Sequence, residues 1–297
     1  GPYGLLGSRI AKRLGVPLCV GYHTQYDKLA DLYWNRIFGG LSSRYLNWMD
    51  RRLFRAASVV VANNADMAAT ARKSGARCVV EVGTPIAKAF LEPVVPRPSN
   101  GIGRVLYAGR LAPEKNLEAV LTAAEQLPDL QFAFAGEGPL RKTVEAKAAA
   151  LPNLTYLGWL SRTELMQALD TSDMLCLPSR VESFGTVALE ALARGRLVLV
   201  SRECGILAWP NLARGIFAID KGETAADAIR RVAACDAEEL RTRVAHGRRA
   251  AEAFNHRTIG QWLSVFAPML NGNAKEVLFT GDLGQVASRE SVEENDR

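Results

Sequence analysis

No D-x-D triplet occurs anywhere in the 297 residues, histidines number only three, and the five cysteines (Cys19, Cys78, Cys176, Cys204, Cys235) form no C-x-x-C pair. The first two absences remove the common ways of presenting a metal ion, so neither a metal site nor a cofactor is expected. An odd number of distant cysteines gives no disulfide framework, and four of them lie in apolar or helical segments, which suits buried thiols in a reducing compartment. No run of about 18 apolar residues is present, which excludes a transmembrane helix. The opening GPYGLLGSRIAKRLG lacks the basic, apolar and cleavable order of a secretion signal. A cytoplasmic protein follows. Zinc spacings, RNP-like strands and basic aromatic recognition modules are missing too, so the net charge of +6 is not read as nucleic-acid binding. It leaves an anionic membrane or a phosphorylated small molecule as the partner.

Two strand-to-helix turns carry the chemistry. In PSRVESFGTVALEALARG, which ends at Gly195, the run Asp173 to Leu177 reads as a short buried strand, and Val187, Ala188, Ala191 and Leu192 recur at helical spacing. Glu182 therefore falls in the turn and Glu190 on the helix. The amides of Ser183, Phe184 and Gly185 would sit at the helix's positive end, where a diphosphate is favoured. Upstream, RVLYAGRLAPEKN repeats the pattern: Val105 to Ala108 form a strand, Gly109 permits an unusual backbone at its end, and Leu117, Val120, Leu121 and Ala124 give the next helix its apolar stripe. Asn116 is expected to cap that helix. Arg110 and Lys115 then stand at a strand's carboxyl end, where open α/β sheets bind ligands. Taken singly, each of these residues reads as an ordinary solvated charge. Two phosphate-suited turns facing one ligand are what raise the reading to a site.

Together these segments resemble the retaining glycosyltransferases of family 4 (group 1), which have the GT-B fold of two Rossmann-like domains. The family's G-R-x-x-x-E-K-like turn appears as GRLAPEK, its G-x-G-P turn as GEGP at Gly136 to Pro139, its E-x7-E as Glu182 and Glu190, and an upstream Y-H-T as Tyr22, His23 and Thr24. The resemblance implies transfer of a sugar from a nucleotide diphosphate donor, a UDP- or GDP-sugar, to a lipid-linked or saccharide acceptor with retention of configuration. It places Arg110 and Lys115 on the phosphates, Glu190 on the ribose and Glu182 near the donor sugar. Gly109, Ser183, Phe184 and Gly185 join the donor site, and His23, following an apolar strand, is a candidate partner for the donor sugar. Two departures stand out. The glycine pair expected near Cys204-Gly205 has one glycine, and the G-V-D usual before the linker reads Gly83-Thr84-Pro85.

The domain plan is read from strand rhythm. Residues 98–270 alternate strands near Val105, Leu130, Leu154, Met174, Leu197 and Ile216 with helices, a complete doubly wound parallel sheet. Helices are expected over Thr224–Ala234, Ala237–Ala253 and Thr258–Leu270. The Pro-rich stretch Glu92 to Gly103 is the expected linker, and 271–297 a polar tail. Residues 1–97 offer three strand candidates only, Pro17–Gly21, Ser58–Ala62 and Cys78–Val82, and open on a helix. The first strand and glycine-rich loop of a doubly wound domain are not found, so an N-terminally truncated chain is expected, one that binds donor weakly and turns over little.

Between Trp34 and Arg55 the apolar residues Trp34, Ile37, Phe38, Leu41, Tyr45, Trp48 and Met49 fall near helical spacing among five arginines, with Gly39 and Gly40 expected to split the segment into two helices. Two readings stand: a core-packed helix pair, or an element lying on the inner face of a membrane. Among rival functions, a dehydrogenase is poor, because GEGPLR lacks the third glycine of the dinucleotide fingerprint. A non-catalytic nucleotide-sugar binding fragment is the serious alternative, and a sugar-nucleotide epimerase of the same fold a weaker one.

Overall fold

A computed structural model describes residues 2–24, 36–92 and 101–270. The chain forms two compact units, Gly1–Thr84 with Arg257–Arg297, and Pro85–His256.

In the first unit, helix α1 (Pro2–Leu14) leads to strand β1 (Cys19–Tyr22), then α2 (Arg36–Ala56), β2 (Val59–Ala62), α3 (Ala65–Lys73) and β3 (Val79–Glu81). The three expected strands are all present, in a parallel sheet of order β1-β2-β3. Side chains alternate across β2. Val60 and Ala62 pack with Leu53, Phe54 and Met67 on one face. Val59 and Val61 pack with Cys78, Val82 and Val265 on the other, with Trp262 and Met269 partly buried beside them. Asn64 starts α3, its Oδ1 accepting the Met67 amide at 2.9 Å.

One expectation fails in α2. Gly39 and Gly40 do not divide it, and a single helix of 21 residues runs through them. Two glycines cost about 1 kcal/mol each relative to alanine, but Met49, Leu53 and Phe54 on the later turns are buried and anchor the helix. Tyr45 and Trp48 are exposed and stack on each other, with the Arg52 guanidinium over the indole at 5.7 Å. Trp34 and the side chains of Ile37, Phe38 and Leu41 lie outside the described residues.

The second unit holds strands β4 (Arg104–Ala108), β5 (Gln131–Ala135), β6 (Leu154–Gly158), β7 (Met174–Leu177), β8 (Leu197–Val200) and β9 (Phe217–Ala218). Between them run α4 (Leu117–Gln126), α5 (Arg141–Ala150), α6 (Arg162–Asp170), α7 (Thr186–Ala193) and the one-turn α8 (Pro210–Ala213), and α9 (Ala225–Ala233) follows β9. All six strands are parallel, in the order β6-β5-β4-β7-β8-β9. The apolar runs of the central strands β4, β7 and β8 are buried on both faces, as a sheet covered by helices requires. The chain walks outward from β4 to β6, then returns to lay β7 on the other side of β4. That reversal makes the carboxyl ends of β4 and β7 the topological switch point, where open α/β sheets bind ligands.

Residues 85–92, expected within the first domain, pack in the second unit: Phe90 is fully buried, Ile86 joins the core, and Arg194 donates to the Glu92 carbonyl at 3.2 Å. The compact units thus divide at Thr84 and Pro85 and not at 97. Most of the Pro-rich linker and the tail 271–297 lie outside the described residues. The last helix, α10 (Ala237–Leu270), is continuous where two helices were expected. Within the second unit Asn255 Oδ1 accepts the Ile86 amide at 2.8 Å, and within the first Trp262 donates to the Gly83 carbonyl at 3.1 Å.

Candidate functional site

The loops after β4 and β7 meet at the switch point. Tyr107 is wholly buried and its hydroxyl donates to the Arg110 carbonyl at 2.8 Å, which fixes the backbone that presents Arg110. Burial, then the nearby Glu182 and Glu114 carboxylates, push the Tyr107 phenol upward, so it stays a donor. Arg110 itself is open to solvent, its guanidinium 3.8 Å from Glu114 Oε1. Glu114 is buried, and its carbonyl accepts the Arg180 and Val181 amides at 2.8 and 3.3 Å, locking the two loops together.

Lys115 and Glu182 come together across that junction. Lys115 Nζ donates to Glu182 Oε2 at 2.6 Å, with both side chains less than one fifth exposed. Asn116, expected to cap α4, does not do so with its side chain. It adopts a left-handed backbone at φ 54°, and its Nδ2 donates instead to the Pro178 carbonyl at 3.2 Å. The asparagine therefore holds the expected N-cap position, its carbonyl accepting the Ala119 amide at 3.1 Å, while its side chain ties the loops. Glu182 is further held through its own backbone, its carbonyl accepting the Gly205 amide at 2.9 Å and its strand-like bridge running beside Cys204.

Gly185 begins α7 at φ 91°, and a Cβ there would meet Cys204 Sγ at 2.7 Å. Phe184 is buried against Phe254, with ring centroids 5.6 Å apart. Neither the Phe184 nor the Gly185 amide has an acceptor among the described residues, so both stay free to donate to an anion at this helix start. Ser183 precedes them in the same turn. Burial pushes the Cys204 thiol up to about 12, so it is an inert filler beneath the turn.

Glu190 lies on α7, partly buried. Burial raises its carboxyl to about 7, with Arg162 pulling the other way. The carboxyl group has no hydrogen-bond partner among the described residues, so a diol would meet an acceptor in need of donors.

Next to these loops a cavity of about 330 Å3 opens at the carboxyl ends of β4, β5 and β6, lined by Gly109, Arg110, Gly136, Trp159, Leu160 and Val187. Its floor depends on glycine. A Cβ on Gly136, at φ 132°, would lie 1.9 Å from the Gly109 carbonyl oxygen, and one on Gly138 2.3 Å from that of Leu111. Nothing in the sequence patterning singled out Trp159. It stands 69% exposed at the pocket, while Tyr156 turns its hydroxyl to the Gly136 carbonyl at 3.0 Å. A tryptophan directly after a strand-ending glycine was the signal available. Glu114 was also missed, because nothing local in PEK announces a buried acid.

His23 is placed by the first unit. Its Nδ1 is 2.8 Å from Asn63 Oδ1, and its ring lies 6.5 Å from that of Trp262. Those contacts hold the imidazole after β1, as expected, and they involve none of the other candidate residues. Among the described residues no group of three or more His, Cys, Asp or Glu side chains is arranged to hold a metal ion.

Residues 97–250 match the family model described as glycosyl transferases group 1, and residues 1–83 that of a glycosyl transferase 4-like domain. The chain is 30% identical over 209 residues to a sulfoquinovosyl transferase of Arabidopsis thaliana, an alignment covering 66% of this chain and 40% of that protein. It is 33% identical over 171 residues to a GDP-mannose-dependent alpha-(1-6)-phosphatidylinositol dimannoside mannosyltransferase of Mycobacterium tuberculosis, covering 56% and 42%. The chain spans less than half the length of either relative. Among solved structures, a sucrose-phosphate synthase from Thermosynechococcus elongatus superposes with a TM-score of 0.72 at 21% identity, covering 89% of this chain and 71% of that one. Anabaena HepE in complex with UDP and glucose does so at 0.68 and 17%, covering 88% and 75%.

Proposed function

The chain belongs to the group 1 glycosyl transferases of family 4, with the GT-B fold, and from that premise we propose that it moves a sugar from a nucleoside diphosphate donor to a lipid-linked or saccharide acceptor. We take the donor to be a UDP- or GDP-sugar, the reaction to retain the anomeric configuration, and no metal to be needed. The observation that carries this reading is the Lys115–Glu182 pair at the switch point, flanked by Arg110 on the first loop and by Glu190 on α7, which follows the second.

The chemical need is to stabilise the negative charge that grows on the diphosphate as the anomeric bond breaks. Arg110 offers a planar fork for two phosphate oxygens, and Lys115 a compact charge on the same loop. The amides at the start of α7 add partial positive charge. An incoming diphosphate competes with Glu182 for Lys115, and the carboxylate so released is available to hydroxyls of the donor sugar. Glu190 accepts from the ribose diol, and Ser183 to Gly185 line the same turn. Same-face attack, with the leaving phosphate oxygen taking the acceptor's proton, accounts for retention. His23 is assigned to hydrogen bonding with the donor sugar.

The deciding experiment is a thermal-shift panel of UDP, GDP, ADP and their sugars against the chain and its Arg110→Ala and Glu190→Ala variants. Ligand binding to the native state raises Tm by mass action. A shift for one nucleotide family that both variants lose supports the reading, and equal shifts in all three proteins overturn the site. A chain that binds and does not turn over favours the second reading, a non-catalytic nucleotide-sugar binding module.

The cytoplasm is the proposed location. No described helix is long and apolar enough to cross a membrane, while exposed Tyr45 and Trp48 beside Arg44, Arg51 and Arg52 suit peripheral contact with anionic lipid. Co-sedimentation with vesicles that contain or lack phosphatidylglycerol checks this. Equal recovery in the supernatant removes the membrane from the proposal.

A further inference from the structure

A cavity of about 710 Å3 in the second unit is separate from the one beside Gly109, and the two share no lining residue. Its volume is within the range of small-molecule sites, roughly 300–1,000 Å3. It lies where the loops after β7, β8 and β9 meet α4 and the start of α9. Ser179 and Ser201 both line it and are both buried. The Ser201 hydroxyl donates to the Ser179 carbonyl, but the Ser179 hydroxyl has no partner among the described residues. A buried hydroxyl left unsatisfied costs about 1–3 kcal/mol, and such groups in native structures call for an explanation.

The charged groups around this cavity sort into used and unused. Asp220 is paired with Arg202, and Glu223 with Arg231 at 2.8 Å. Lys221 and Arg180 have no ion-pair partner among the described residues, and neither do Glu118 and Glu203. Helix α9 opens into the same wall with Ala225 and Ala226. Its Thr224 hydroxyl takes the Asp227 amide at 3.1 Å, which leaves the first two amides of the helix unbonded. Two unused cations and a helix start suit a phosphate. Two unused carboxylates and a buried serine suit the hydroxyls of a polyol and would repel a bare anion.

We propose that this cavity is a second ligand site, built for a phosphate monoester of a polyol such as a sugar phosphate. The phosphate binds at the start of α9 with Lys221 and Arg180 as counter-charges, and the hydroxyls meet Ser179, Glu118 and Glu203. Asn116 and Pro178 also line the cavity, and the hydrogen bond between them joins the two loops that bear Lys115 and Glu182. An occupant therefore touches the backs of both donor-site loops, and a binding signal here reaches the donor site by linkage.

The test uses the full chain in thermal-shift titrations with glucose 6-phosphate, glucose, inorganic phosphate and UDP. Glucose 6-phosphate is expected to raise Tm, with glucose and phosphate each far weaker. Lys221→Glu should weaken the glucose 6-phosphate response at least tenfold while leaving the UDP response in place. Ser179→Ala should raise the Tm of the free protein, by removing the unpartnered hydroxyl, and also cut the glucose 6-phosphate response. A serine of purely structural importance would do only the first. No shift with glucose 6-phosphate, a shift unaltered in Lys221→Glu and Ser179→Ala, or a shift that UDP abolishes by competition overturns the proposal. An equal response to inorganic phosphate overturns the assignment to a polyol.

Discussion

Of thirteen large apolar side chains that stay exposed among the described residues, eleven belong to the first unit and two, Leu157 and Trp159, to the second. The second unit has six parallel strands with helices on both faces and one continuous core from Ile86 to Phe254. Trp159, one of its two exceptions, lines the pocket beside Gly109. The first unit has three strands and two smaller clusters, and it leaves Tyr3, Leu6, Ile10 and Leu14 in a helical stripe along α1. Trp159 in the closed unit thus lies at a pocket, whereas the three-stranded unit carries its exposed apolar side chains mainly along the helices α1 and α10. One sequence thus contains a unit whose tolerance to change is set by packing and another whose tolerance is set by its surface.

The contrast can be pressed hardest at glycines. Gly136→Ala puts a methyl group into the Gly109 carbonyl at a left-handed backbone position, and the expected loss is about 4 kcal/mol or more, seen as a collapse of Tm in calorimetry. A Gly136→Ala protein that melts like the parent would show that the floor of the second unit yields as easily as a surface.

Next in size is Lys115→Ala. A transition-state loss of about 2.7–4 kcal/mol, or roughly 10²–10³ in kcat/KM, is expected of a group that stabilises the leaving diphosphate. Steady-state kinetics with the preferred donor checks it, and turnover at the parent's rate would remove Lys115 from the chemistry.

Glu190 supplies a pH test. Its carboxyl is raised from 4.5 to about 7, so the native state binds a proton that the unfolded chain gives up. The stability it contributes is fully present below pH 4.5 and is lost as pH rises through 7, by about 3 kcal/mol if the whole shift counts. Glu190→Gln keeps the shape without the charge. Its Tm should therefore draw ahead of the parent's between pH 4.5 and 7 and keep a constant lead above that. Parallel Tm curves across this window would contradict the assignment.

The smallest effect is expected at Gly7, in the open interior of α1, where an added Cβ meets nothing within 4 Å. Gly7→Ala should stabilise by about 0.5–1 kcal/mol through helix propensity alone. Chemical denaturation followed by circular dichroism would detect it, and a destabilised variant would mean that the first unit is as tightly determined as the second.

The strands were legible because runs such as VLYA, MLCL and LVLV are buried on both faces and bounded by glycine or polar turns. Two carboxylates and two cations on successive turns were legible because spacing alone puts them at carboxyl ends of strands. What escaped depends on partners far along the chain. The glycines of α2 looked like a break, because the anchoring burial of Met49 and Phe54 is not local. Asn116 stands at the cap as expected, but the destination of its side chain escaped, because its partner Pro178 is 62 residues away. The end of the first unit was misplaced, since only contact with Arg194 and Asn255 reveals that residues 85–92 belong to the second.

The last helix has a consequence for how the protein is made. Beyond Arg257 it supplies Val265, Trp262 and Met269 to the cluster that covers Val59 and Val61. A ribosome emits those two valines some two hundred residues before the side chains that cover them. The unit that is synthesised first is thus completed last. Until α10 has left the exit tunnel, one face of β2 lacks its lid and is a surface a chaperone would have reason to hold.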